Sequence, residues 1–443
     1  MCGALVAGEK PGFRRRGYLG WITDLDSRPD TNAAWPSMRL DAPLLSDYRA
    51  TFRLMRRLGF NEATMWGLYV SRAWPVDLAS CITPQRGALV RQLIDAAHQQ
   101  GIRIYAGLGV CSWGFDQIIR AFPRLSRGNP NAMCGSEPES WIWMQAVIDF
   151  VFARFPLDGV SLQSADQGRC RCDQCRAYSD TEYHARLNVK TSEYIRSRWR
   201  GKTVAVNGWG MNFQDPQSLP PLASMSRSVD YLIDVHDTTR NRDPAHRRKV
   251  VESLQCAFGT LGGPQVEPPQ HWERDRWFLP TVKRQSEHLV ELYAEGGRAC
   301  EYFFHVLKNP GDEVSFHLAG KVLSGPLTPW QTYLRETIQE LYKTKQSATG
   351  ALAEVFIRAE DAYFQHLPGF RSGTISLEPL VSDRPGQPVY LTRRLKPEQR
   401  AQYRRDLIAI AGTVHKLAPE VPEKVRLRRV LRGLDNVLKD LGA

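Results

Sequence analysis

No stretch of this 443-residue chain approaches 18 consecutive apolar residues, so nothing in it reads as a membrane-spanning helix. No fixed-period repeat is found, which sets aside solenoids and propellers. The spacings H-x-H and H-E-x-x-H are absent, and so is any nucleic-acid-binding motif. Cysteine is sparse, uneven and odd in number, at nine, which argues against a disulfide framework and for a reducing compartment. Near the N-terminus a short apolar patch, Ala4–Ala7, precedes a basic cluster. That is the reverse of a secretory signal, and the expectation is a cytoplasmic protein. Tryptophan is missing from the last quarter, since all 12 lie at or before Trp330.

What remains is ordinary globular composition, with 42% apolar and 24% charged residues. The chain carries 59 Lys+Arg against 47 Asp+Glu, a net +12. Residues 392–443 alone hold 13 Lys+Arg against 6 Asp+Glu, so more than half of the excess sits there. The positive charge therefore reads as a basic face on an appendage, solvated or facing a partner subunit, and a homo-oligomer is compatible with it. The expected partner is a carbohydrate, with no nucleic acid and no membrane.

Short apolar strands alternate with helical stretches. The strands are expected at Tyr18–Asp24, Asn61–Tyr69, Arg103–Cys111, Gly159–Ala165, Thr203–Trp209, Tyr231–His236, Gln255–Leu261 and Arg298–Val306. Between them, Tyr48, Phe52, Met55 and Leu58 show the helical spacing typical of the linking segments. Eight such units predict an α/β fold, a (β/α)8 TIM barrel over residues 1–325. The remaining residues, 326–443, predict a helical C-terminal domain. Alternation in strand six groups Leu232, Asp234 and His236 on one face, and in strand eight Glu301, Phe303 and His305. The polar faces are expected to point into the barrel, with their late members reaching the C-terminal end where barrel active sites lie.

Four features carry chemistry. Cys170, Cys172 and Cys175 form C-x-C-x-x-C just after strand four, a spacing that lets three thiolates converge on one zinc ion. Cys134, in the loop after the neighbouring strand three, is the expected fourth ligand, with His184 as second choice. An all-thiolate site has no open position, so a zinc there is structural and catalysis needs no cofactor. Asp166, Asp234, Glu267 and Glu301 fall at or after strands four, six, seven and eight. Carboxylates in pairs cleave glycosidic bonds, and Glu301 with Asp234 is the expected flanking pair. Each has a plainer reading as well: Glu301 as the buried partner of an arginine, Asp166 as a cap on the cysteine loop. Trp21, Trp66, Trp113 and Trp209 lie at or near strand C-termini, where indole faces stack on sugar rings or fill the barrel mouth. Gln163, Asn207, His236 and His305 complete the expected substrate contacts.

The run from Asp166 to Cys175, together with the single Cys134 ahead of its helix, resembles an uncharacterised family of glycoside-hydrolase-like barrels. That family is similar to the α-glucuronidase and family-20 β-hexosaminidase barrels. The resemblance implies a glycoside hydrolase, on a uronide or a hexosaminide, and covers roughly residues 17–365. The family-20 enzymes carry an Asp-Glu pair at this strand end, and here the pair is Asp166-Gln167. The alternative implied by that glutamine is a barrel that binds carbohydrate without cleaving it.

Overall fold

The computed structural model describes residues 12–21, 40–68, 74–165, 167–235, 243–262, 278–303, 309–366 and 395–442. Asp166, His236, Glu267 and His305 lie outside the described residues, as does the side chain of Trp21.

Eight parallel strands close into a barrel in sequence order. They are β1 (Arg15–Trp21), β2 (Glu62–Trp66), β3 (Arg103–Gly109), β4 (Gly159–Gln163), β5 (Thr203–Asn207), β6 (Tyr231–Ile233), β7 (Ala257–Gly262) and β8 (Ala299–Phe303). Closure is the pairing of β1 with β8, in which Arg15 faces Ala299 and Gly17 faces Glu301. Every expected strand is present. Among strand starts the largest difference is that of β1, three residues earlier than its apolar pattern suggests. An Arg-rich run reads as surface, yet Arg15 is the first strand residue, heads an inward row with Gly17 and Leu19 and is wholly buried.

Linking helices cover the outside and bury one stripe each. Helix Ala42–Leu58 buries Tyr48, Phe52, Met55 and Leu58, the spacing visible in the sequence. Its N-terminus is capped by Asp41, whose carboxylate accepts the Leu44 N–H at 3.0 Å. Thr83 and Ser179 cap Pro84–His98 and Asp180–Arg198 in the same way. No helix among the described residues is long and apolar enough to cross a membrane.

Four helices follow the barrel: Trp330–Tyr342, Gln346–His366, Pro397–Leu417 and Lys424–Asp440. They pack against the barrel through Phe278 and Phe356, whose rings meet edge to face at 4.9 Å. Arg426 adds a forked ion pair to Glu313 in helix Pro310–Ser324, at 2.8 and 3.0 Å.

The most telling contact is Glu360. Helix Lys283–Ala294 begins at Val282, which has no side chain able to cap it. Glu360, fully buried on Gln346–His366, accepts the N–H groups of Lys283 and Arg284 at 2.7 and 2.8 Å. A carboxylate so placed meets the positive end of the helix dipole. Burial nevertheless pushes its pKa up to about 7, against those two hydrogen bonds. Because the folded value is raised above the ordinary one, it is the buried protonated carboxyl that favours folding, a contribution full below pH ~4.5 and lost as pH rises through ~7. Glu360→Gln keeps an acceptor and removes the titration. Thermal unfolding of wild type against this variant is therefore expected to diverge between about pH 4.5 and 7, by on the order of 3 kcal/mol. Parallel pH profiles would refute the assignment.

Candidate active site and cysteine cluster

The barrel interior has a polar floor. Arg15 Nε lies 2.7 Å from Glu62 Oε2, and its Nη2 lies 2.5 Å from Glu301 Oε1, with all three side chains fully buried. Thr64 Oγ1 accepts from Arg15 at 3.0 Å and donates to Glu301 at 3.1 Å. Ser161 donates to the other Glu301 oxygen at 3.4 Å. Arg103 completes the charge balance by pairing with Glu62 from the barrel rim. The Arg15 guanidinium also lies over the rings of Tyr105 and Tyr231, at 4.5 and 5.3 Å. Burial opposes the Arg15 charge, but Glu301 and then Glu62 raise its pKa, and it stays ionised. Burial raises the Glu62 carboxyl, against the pull of Arg15 and Arg103. Glu301 thus occupies the place its plainer reading gave it, as the buried partner of an arginine. Sequence reasoning missed Arg15 itself, although its place in the inward row was a usable signal.

Above this floor comes an aromatic layer. Leu19, Trp66, Trp113, Ile233, Leu261 and Ala299 form a separate apolar cluster inside the barrel. Trp66 and Trp113 meet edge to face with centroids 4.8 Å apart. Gly107 makes room for them, because a Cβ there would sit 2.2 Å from the Trp66 ring. Trp113 arrives from a reversal after β3, in which Cys111 and Trp113 both have φ 55°. Both indoles are buried, so they plug the barrel, whereas Trp209 after β5 is only half-buried.

The inward face of β6 differs from the alternation expected for it. Tyr231 lies beside Arg15 and Ile233 joins the inner cluster, while Leu232 packs in the outer core. The strand ends at Ile233, so Asp234 lies beyond it and is no guide to which strand residues point inward. Asp234 follows at φ 74°, in the left-handed region, and is 1% exposed.

At the mouth stand Gln163 and Asn207, the last residues of β4 and β5, each 8% exposed. Asn207 Oδ1 accepts the Trp209 N–H at 2.9 Å. Gln163 Oε1 has no hydrogen-bond partner among the described residues. A buried carboxamide left in that state is costly unless something else satisfies it.

The cysteines come together as expected. The sulfurs of Cys134, Cys170, Cys172 and Cys175 lie within 4.8 Å of one another. Cys134 Sγ is 3.7 Å from Cys172 Sγ and 3.8 Å from Cys175 Sγ. A tetrahedral zinc with bonds of about 2.3 Å separates its sulfurs by about 3.8 Å. The donor set therefore fits a structural metal. His184, the second choice, is not in the group. Burial raises the thiol pKa of Cys134 and of Cys170. At Cys172 burial also acts upward, but hydrogen bonding within the cluster, first from the Cys175 N–H, brings it down to about 7. The cluster staples the loop after β3 to the loop after β4. Asn129 tightens the same seam by donating to the carbonyls of Gln167 and Arg169, and the Gln167 N–H donates to Ser112 Oγ at 2.9 Å.

No protein-family model matches the chain, and no curated protein sequence matches it. Solved structures do. A GH138 enzyme targeting pectin rhamnogalacturonan II aligns with TM-score 0.63 at 10% identity, over 96% of this chain and 57% of that one. An O-GlcNAc hydrolase of Thermobaculum terrenum aligns with TM-score 0.52 at 14% identity, over 92% of this chain and 77% of that one. CpGH84B aligns with TM-score 0.51 at 9% identity, over 96% and 67%. At such identities the likeness is one of fold, and the fold shared is the eight-stranded barrel on which these glycoside hydrolases are built.

Proposed function

We propose that the protein is a glycoside hydrolase that works at the C-terminal mouth of its barrel. The observation carrying this reading is where backbone strain collects. Four described non-glycine residues have positive φ, and three of them, Cys111, Trp113 and Asp234, follow strands β3 and β6 at that mouth. Strain held by the surrounding fold gathers at working sites. The buried amides of Gln163 and Asn207 at the same mouth suit sugar hydroxyls, and half-buried Trp209 offers a stacking face.

Asp234 is one member of the carboxylate pair in this reading. Asp166 or Glu267 is the other. One protonates the leaving oxygen while the other attacks the anomeric carbon or activates water. Glu301 acts as a positioning residue through Arg15 and Thr64. His236 and His305 extend the substrate contacts, and Trp66 and Trp113 shape the base of the pocket. A zinc ion on the four cysteines orders the two loops and takes no part in bond cleavage.

The test is a panel of aryl glycosides, uronides and hexosaminides. Asp234→Asn is expected to lower kcat by ~10²–10⁴ on whichever substrate wild type cleaves, at unchanged fold. Full activity in that variant would remove Asp234 from the pair. Gln167, next to Asp166, favours a second reading, a barrel that binds carbohydrate only. Oligosaccharide binding without turnover by wild type would select it.

A further inference from the structure

The loop after β4 and the start of helix Asp180–Arg198 enclose a cleft of about 660 Å³. Ala165 and Gly210, which follow β4 and β5, are among its lining residues, so it adjoins the mouth of the barrel. Gly210 has φ 80°, and a Cβ there would lie 2.3 Å from that of Ala165. A side chain at this position would collide with Ala165, so this part of the wall requires glycine.

The walls are basic. Among the described residues, Arg169, Arg171 and Arg176 line the cleft against one acid, Asp180. Arg169 is already engaged. It pairs with Asp180 at 2.7 Å, donates to the carbonyls of Cys175 and Tyr178, and stacks over Tyr183. Arg171 and Arg176 are exposed and have no ion pair among the described residues. His184 also lines the cleft. It is 3% exposed, and its Nδ1 has no partner among the described residues. Burial lowers its pKa to about 4, so it is a neutral ring at pH 7 and adds no charge to the cleft.

A cleft beside the mouth, with two exposed guanidinium groups that have no ion pair among the described residues and a neutral imidazole in its wall, selects a ligand that is polar throughout and negative at one end. We propose that this cleft binds the anionic group, carboxylate or sulfate, of an acidic saccharide, with Arg171 and Arg176 as its charge partners. The inference rests on the mouth being a carbohydrate site and adds the class of sugar.

Both arginines are exposed, so Arg171→Ala/Arg176→Ala is expected to fold as wild type does. Binding of methyl glucuronide, glucose 6-sulfate and methyl glucoside is measured by calorimetry on both proteins. Wild type should bind at least one acidic probe about tenfold or more tightly than the neutral one. That preference should shrink with added salt and vanish in the variant. Whichever acidic probe wins identifies the anion. Equal binding of neutral and acidic probes overturns the proposal, and so does a preference that survives in the variant. A variant that loses metal from the cysteine cluster but keeps the preference also overturns it, since the arginines would then be balancing thiolate charge. Turnover of neutral glycosides without acidic preference sinks this inference and spares the hydrolase. Acidic binding without turnover of any substrate does the reverse.

Discussion

Arg15→Met is expected to cost about 3–5 kcal/mol of folding stability, a large share of what a domain commonly has. The substitution roughly keeps the volume of the side chain. What it strands is charge. Glu62 and Glu301 would remain fully buried, and Arg103 reaches only Glu62, from the rim. A carboxylate buried without a partner protonates or unfolds the site. The denaturant midpoint should therefore fall sharply at pH 7 and recover partly at pH 5, where protonation relieves the stranded acids. Adding Glu301→Gln to Arg15→Met should return part of the loss, because it removes one of the two stranded charges. A single variant that unfolds within about 1 kcal/mol of wild type would show that the ion cluster is dispensable.

The second large effect concerns the cysteines. Purified protein is expected to hold one zinc per chain. Cys170→Ser should release it, because the sulfur is buried and a hydroxyl is a far poorer zinc ligand than a thiolate. Zinc bound to four thiolates contributes to folding directly, and its loss should lower Tm by several degrees or more. Chelator treatment of wild type should do the same, and added zinc should restore wild type but not the variant. Hydrolase activity should fall along with the metal, since the two stapled loops run up to Gln167 at the mouth. Protein with no bound metal and an unchanged melting curve under chelator would reduce the cluster to four packed thiols.

The fold was legible because its signals are local. Alternation over five residues marks a strand, and Tyr48, Phe52, Met55 and Leu58 mark a helix wherever they lie. The cysteine cluster was legible for a related reason. Three ligands are adjacent in sequence, and strand order alone places Cys134 at the neighbouring loop. The ion cluster was not. Arg15 and Glu301 are 286 positions apart, and nothing near either residue names the other. The phase of β6 was not legible because Asp234 lies past the strand end, in a left-handed turn that an aspartate tolerates but does not announce. Glu301 and Asp234 both looked like strand-end carboxylates, and only their surroundings separate a positioning group from a catalytic candidate. Arg171 and Arg176 were legible as residues but not as a site, because the cleft they line is completed by His184 and Gly210 from later elements.

The cap supplied by Glu360 bears on the order in which the chain is made. Helix Lys283–Ala294 leads into β8, the strand that closes the barrel against β1. Its first amides wait for an acceptor that is synthesised 77 residues later. A nascent chain leaving the ribosome thus has all eight strands in hand before the start of its last-but-one barrel helix can be satisfied. Barrel closure during translation is then a provisional state, and the C-terminal helices finish it rather than merely follow it.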